Sequence, residues 1–184
     1  MKFILASASP RRINLLQKWQ FDFVPVNPQY DEKIFTYNPT VTAMLNAYNK
    51  AFSTHKKYKN SIVVGADTIV VINNKILGKP KNKSELKKML QLLSENVHRV
   101  ITGIAVIKKE KFMIDFIETK VKFKKLSCIE IKTYIAVKEG LDKAGGYAIQ
   151  GAASSFIEGI DGPIDNVIGI PINLLKKLLK KLER

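Results

Sequence analysis

The sequence predicts an α/β protein with a mixed central β-sheet flanked by helices. Three observations carry that expectation. The run Ser61–Ile72 is apolar and rich in β-branched residues, as a strand requires. Two further long strand-like runs, Val97–Ile107 and Phe112–Phe123, stand on either side of a Lys-Glu-Lys turn. Stretches of helical periodicity fall between and around these runs in irregular alternation, a pattern that packs as a sheet with helices against it.

The elements follow in order. Phe3–Ala6 reads as a short buried strand. Ser9 then stands as a helix N-cap with Pro10 at the first helical position, where its missing N–H costs nothing. Ile13, Leu15, Leu16 and Trp19 follow at roughly helical spacing. Phe21–Val26 alternates enough for a second strand, and 28–39 is a polar loop. Thr40–Lys56 is predicted helical, with Val41, Leu45, Tyr48 and Phe52 as its apolar stripe. Asn73-Asn74, tolerant of positive φ, turns Ser61–Ile72 back through Lys75–Leu77 as a hairpin. Ser84–Ser94 is a lysine-rich amphipathic helix. Ser127 and Glu130 have the spacing of a capping box for a helix to about Lys138. A glycine-rich segment from Gly140 to Gly169 precedes an apolar and basic helix over Ile172–Leu182. Neither repeats nor low-complexity linkers occur, so one domain over 1–184 is expected.

Composition bounds the function. A hydrophobic fraction of 46% supports a packed core. The single cysteine, Cys128, excludes an internal disulfide framework; it lies in an apolar stretch and reads as core filler. The apolar run at Met1–Ala6 is too short for a signal peptide, and nothing approaches a membrane span, so a cytoplasmic protein without membrane attachment is expected. Lysine and arginine outnumber acidic residues 31 to 16, a formal charge of +15. That field favours polyanions of any kind, whereas the paired lysines on helices read as solvated faces.

Several segments could carry chemistry. In Leu5-Ala6-Ser7-Ala8-Ser9-Pro10-Arg11-Arg12, a helix N-terminus, two small hydroxyls and two guanidinium groups form an anion site; the alternative is a pair of solvated arginines. Asp67 interrupts an apolar strand, which is expensive unless it is paired, hydrogen-bonded or metal-bound. Gly65 and Ala66 beside it would let a ligand approach the backbone. The pair Asp31-Glu32 offers hard oxygen ligands of the kind Mg²⁺ takes. Lys50 lies at the edge of the helix stripe, and Lys79 follows Gly78 just after the hairpin. In Asp142–Gly151, paired glycines before Tyr147 and Gln150 suggest a loop shaped around a ligand. His55 reads as a surface residue and His98 as structural. With no catalytic triad, zinc spacing or phosphate-loop motif, the inventory suits metal-assisted phosphoryl chemistry.

Together these segments resemble the Maf family of nucleotide pyrophosphatases. The matching motifs are Leu5 to Arg12, Gly65-Ala66-Asp67-Thr68, Gly78-Lys79-Pro80, His98-x-Val100-x-Thr102-Gly103, Asp142 to Gly151, and Asn166-Val167-x-Gly169-x-Pro171. They occur in the family's order and run nearly end to end. The resemblance implies a mixed sheet with a substrate cleft, similar to inosine triphosphate pyrophosphatase folds. It implies hydrolysis of a nucleoside triphosphate to the monophosphate and pyrophosphate with a divalent cation, Mg²⁺, Mn²⁺ or Co²⁺. Carried onto this chain, Asp67 is the proton acceptor that activates water. Ser7, Arg11, Arg12, Lys50 and Lys79 clamp phosphates, and Glu32 with Asp67 holds the metal. Arg11, Thr68 and Gln150 match the family's dTTP/UTP type, whereas its 7-methyl-GTP type carries a bulky residue, Gln and Glu there. Ile170, where Leu is usual, and Pro163-Ile164-Asp165, where Ser-Tyr-Ser is common, depart from the pattern.

The charge also suits a nucleic-acid binder, but the aromatics read as core and no recognition motif occurs, so no stable nucleic-acid complex is expected. A homodimer is compatible with the sequence. Nucleotide-pool housekeeping and restraint of cell division are roles attached to the family, and the sequence does not separate them.

Overall fold

Every strand but the last forms where the sequence predicts it. The strands are β1 (Phe3–Ala6), β2 (Phe23–Val26), β3 (Val63–Ile72), β4 (Lys75–Leu77), β5 (Val97–Lys108), β6 (Lys111–Phe123) and β7 (Ile157–Asp161). Helices are α1 (Pro10–Lys18), α2 (Pro39–His55), α3 (Lys83–Leu93), α4 (Cys128–Val137), α5 (Ile164–Ile168) and α6 (Ile172–Leu182). The structure is a computed structural model that describes residues 1–34 and 38–182; part of the loop expected over 28–39 lies outside the described residues. The sheet runs β2-β1-β3-β5-β6-β7, with β4 paired to β3. It is mixed, as expected: β1 is parallel to β2 and β3, whereas β4 and β7 are antiparallel to their neighbours. No helix among the described residues is long and apolar enough to cross a membrane.

The chain divides into two compact units. The first comprises Met1–Thr68, Thr102–Ile117 and Asp165–Arg184. Its strands alternate in facing, the period-two consequence of a pleated backbone. Phe3, Leu5, Val64, Ala66, Ile104 and Val106 pack with Leu16 of α1 and with Leu175, Leu178 and Leu179 of α6. Ile4, Ala6, Val63, Ala105 and Ile107 instead meet Ala47 and Ala51 of α2. The expected stripe on α2 is therefore corrected. Its buried face is Thr42, Ala43, Asn46, Ala47, Lys50, Ala51 and Thr54, while Phe52 is 40% exposed. The physical reason is close approach: a β-carbon at Gly103 would lie 2.6 Å from the Ala43 carbonyl oxygen, and one at Gly65 would strike that of Ala47. Large apolar side chains do not fit beneath the helix, so Phe52 turns outward and Tyr48 packs only at the edge of this cluster. The room beside Gly65 is filled by the chain's own helix, where the sequence suggested a ligand. His55, on the last turn of α2, is buried, contrary to its surface reading.

The second unit comprises Ile69–Ile101 and Glu118–Ile164. Asn73 and Asn74 take φ of 49° and 60°, which makes the expected hairpin between β3 and β4. α3 buries Leu86, Met89, Leu90 and Leu93. The Ser127–Glu130 capping box is present, with Glu130 Oε2 accepting from the Ser127 N–H at 2.8 Å. Cys128 is exposed, a correction to its core reading: α4 turns Ile131 and Tyr134 inward, and Cys128 in its first turn faces solvent. The glycine-rich segment is not all loop, for it contains β7 and α5.

Candidate active site

The expected site residues fall into two groups in the first unit and two separate positions in the second. Asp67 and Thr68 adjoin on β3, so their side chains leave opposite faces of the sheet. Asp67 projects toward α2. There Lys50 Nζ donates to Asp67 Oδ1 at 2.6 Å, to Glu32 Oε1 at 2.7 Å and to the Ala66 carbonyl at 3.4 Å. Lys50 and Asp67 are buried. The small face of α2 makes this possible, since a helix that rides directly on Gly65 brings its one long polar side chain onto the next outward-facing position of the same strand.

Asn46 completes this group and was missed by the sequence reading. Its Nδ2 donates to Asp67 Oδ2 and to the Lys33 carbonyl, each at 3.0 Å. Its Oδ1 accepts from the Tyr30 hydroxyl at 3.0 Å and the Lys33 N–H at 3.1 Å. The amide thus ties the loop that carries Glu32 to the carboxylate of Asp67. The signal that could have found it is the four-residue spacing from Lys50, which places both on one helix face beside Ala43, Ala47 and Ala51. Tyr30 has its pKa raised, first by burial and then by the nearby carboxylates of Asp67, Glu32 and Asp31.

No cluster of three or more His, Cys, Asp or Glu occurs among the described residues. The donor set that does exist is Glu32 and Asp67, whose oxygens converge on a single cationic point, the Lys50 ammonium. Two carboxylates directed at one positive charge fit a hard divalent ion of the kind that completes its shell with waters and substrate phosphates.

On the other face of β3, Arg12 of α1 is buried without a carboxylate partner among the described residues. Its Nε donates to the Gly169 carbonyl at 2.7 Å, Nη1 to Ser7 Oγ at 3.3 Å and Nη2 to Thr68 Oγ1 at 3.0 Å. Burial lowers the pKa of this guanidinium, while the charges of Asp67 and Glu32 oppose that shift. Five N–H donors and three bonds leave two donors for an anion. Ser9 is the N-cap residue of α1, as expected, yet its side chain does not cap; its N–H donates instead to Ser7 Oγ at 3.2 Å. Arg11, one residue away, is half-buried.

Lys79 and Gln150 belong to the second unit, and both are exposed. The loop before Gln150 is shaped by its own neighbours. The Gly145 N–H donates to the Gly78 carbonyl at 3.0 Å, and Gly145 packs against Val70 at φ +69°. After Gln150, the Ala152 N–H donates to Glu139 Oε2 at 2.9 Å. His98 is structural, as expected: its Nε2 lies 2.6 Å from the Tyr147 hydroxyl in an aromatic cluster with Phe123.

Known proteins resemble this chain closely. The profile of a family described as Maf-like protein matches residues 2–182. A dTTP/UTP pyrophosphatase of a Thermoanaerobacter species is 46% identical over 184 residues, covering 98% of this chain and 96% of that protein. Proteins of the same name from Bacillus cytotoxicus and Clostridium botulinum are 45% and 43% identical, covering 99% and 97% of this chain and 96% of each relative. Among solved structures, the Staphylococcus aureus Ham1 protein aligns with a TM-score of 0.56 at 14% identity, over 98% of this chain and 99% of that one. That likeness concerns the fold alone.

Proposed function

This chain belongs to the family described as Maf-like protein, and on that premise we propose that it is a nucleoside triphosphate pyrophosphatase favouring dTTP and UTP. The observation that carries the reading is the buried Asp67 fixed between Lys50 and Asn46 beside Glu32. The names of the relatives support the substrate class.

In the proposed reaction, water attacks the α-phosphorus and the bond from that phosphorus to the α–β bridging oxygen breaks. The nucleoside monophosphate forms and pyrophosphate leaves. Asp67 accepts the proton of the attacking water, using lone pairs that its bonds to Lys50 and Asn46 leave available. Lys50 and Arg12 supply positive charge for the phosphates, Arg12 through its two remaining N–H groups. Ser7 braces Arg12, and Arg11 meets the same anion from the half-buried surface beside it. Glu32 and Asp67 would hold the divalent metal, which would supply positive charge to the phosphates. Lys79 is assigned to phosphate contact and Gln150 to base selection. On this reading the protein acts in the cytoplasm on a small molecule. Nucleotide-pool housekeeping is the role proposed for it, with a link to cell-division arrest to be tested in cells lacking it.

A hydrolysis screen over canonical and modified triphosphates with Mg²⁺, Mn²⁺ or Co²⁺, read by ³¹P NMR, tests the proposal. Pyrophosphate and monophosphate should appear together, fastest from dTTP and UTP. Release of single phosphate, or turnover undiminished by a chelator, would overturn it.

A further inference from the structure

Two motifs noted in the sequence, His98 to Gly103 and Asn166 to Pro171, contain residues to which the proposed reaction gives no part. The structure joins them to Arg12 through a chain of hydrogen bonds whose direction elementary chemistry fixes. Thr102 is fully buried, and its hydroxyl donates to the Asn166 backbone carbonyl at 2.9 Å. A carbonyl oxygen can only accept, and a hydroxyl has one hydrogen. In the 2.9 Å contact between Thr68 Oγ1 and Thr102 Oγ1, Thr68 is therefore the donor. Thr68 in turn accepts from Arg12 Nη2. The chain runs one way: Arg12 to Thr68, to Thr102, to the Asn166 carbonyl.

Its members come from all three segments of the first unit. Arg12 and Thr68 lie in Met1–Thr68, Thr102 in Thr102–Ile117, and Asn166 in Asp165–Arg184. Gly169 lets the third segment come close: at φ +117°, a β-carbon there would stand 3.2 Å from Thr68 Oγ1 and 3.3 Å from Arg12 Nε. Its carbonyl takes the Arg12 Nε–H, so this segment holds the guanidinium directly and through the relay.

We propose that Thr102 is a positioning residue, which fixes the Thr68 hydroxyl and through it the plane of the Arg12 guanidinium against a substrate phosphate. This rests on the reading of the site as a triphosphate pyrophosphatase. With its hydrogen committed to Thr102, Thr68 offers a ligand only a lone pair. Phosphate oxygens are also acceptors, so the Thr68 hydroxyl does not bind them and serves instead to aim Arg12.

The test uses the full chain and two constants that report phosphate binding, the KM for dTTP and the Ki for pyrophosphate. Thr102→Val removes the hydroxyl at nearly constant volume and should raise both together by about tenfold, with kcat little changed. Thr102→Ser should restore both, since it keeps the hydroxyl. In a Thr68→Val background, Thr102→Val should add almost nothing, because the chain is already cut. A Thr102→Val protein that melts earlier yet keeps wild-type KM and Ki would overturn the proposal, as would independent effects that multiply in the double variant. Should Thr102→Val fail to fold, Thr102→Cys replaces the hydroxyl with a weaker donor, and both constants must still rise. If the wild type hydrolyses no triphosphate, the functional reading falls by itself. The relay is then judged by calorimetry of pyrophosphate binding, which Thr102→Val must weaken.

Discussion

Asp67 in the first unit and His98 in the second are both buried titratable groups on long strands, and their surroundings are built on opposite plans. Around Asp67 stand a lysine ammonium, a second carboxylate and an amide with all four hydrogen bonds made. Around His98 stand aromatic rings and one tyrosine hydroxyl. Burial pushes the His98 pKa down to about 4 and raises that of Tyr147, so that pair is neutral near pH 7. Burial alone therefore does not mark a site. What separates the two regions is opposite charge held together, the arrangement able to exchange a protein partner for a charged ligand.

Exchanging the chemistry of each group tests that distinction, beginning with the largest effect. Asp67→Asn should keep the fold and lose on the order of 10²–10⁴ in kcat; a variant that retains a third of wild-type turnover would remove Asp67 from its role. His98→Leu should instead leave kcat nearly intact and change stability. Because the folded pKa of His98 is depressed, its protonation opposes folding only below the ordinary value of 6.5. Wild-type stability should thus fall between pH 6.5 and about 4 by about 3 kcal/mol, a loss that His98→Leu abolishes in urea melts. A parallel pH dependence in both proteins would show that His98 is not the group responsible.

Gly65→Ala probes the support beneath the charged group. The added carbon meets the Ala47 carbonyl, and stability should drop by about 2–3 kcal/mol, with activity lost as α2 is pushed from β3. An unchanged urea midpoint would mean that the helix yields freely. The smallest effect is expected at Gln150. Its side chain is exposed, so exchanging the amide for a carboxylate leaves no buried group unpaired. Gln150→Glu should therefore lower kcat/KM for dTTP and UTP by only about 1 kcal/mol, while other triphosphates are spared. An equal loss for every triphosphate would make the residue structural.

The parts that were legible in the sequence are those with local causes. Asn73-Asn74 needs positive φ, Ser127 and Glu130 cap each other within one turn, and β3 announces itself by composition. Asp67 was conspicuous because a carboxylate in an apolar run demands a partner. The identity of those partners was less open to reading. Asn46 and Lys50 lie on a helix face whose other members are alanines and threonines, so apolar periodicity pointed to the wrong side of α2. That face becomes clear only once Gly65 and Gly103 are known to lie against it. His55 is buried by tertiary packing that no local pattern reports. In β7, Glu158 and Asp161 are exposed, and Gly159 lacks β-propensity, so pairing with β6 supplies what the sequence does not.

The core of the first unit has a consequence for the order in which the protein is made. Phe3, Leu5 and Val64 share one apolar cluster with Leu175, Leu178 and Leu179 of α6. A ribosome must therefore translate the whole second unit before the first can close. At roughly 5–20 residues per second, Val64 waits on the order of 5–20 s for its last partners to be synthesised. During that time the nascent chain holds this aliphatic surface without its last partners. Rare codons within α6 would lengthen that exposure and lower the soluble yield without changing a single residue.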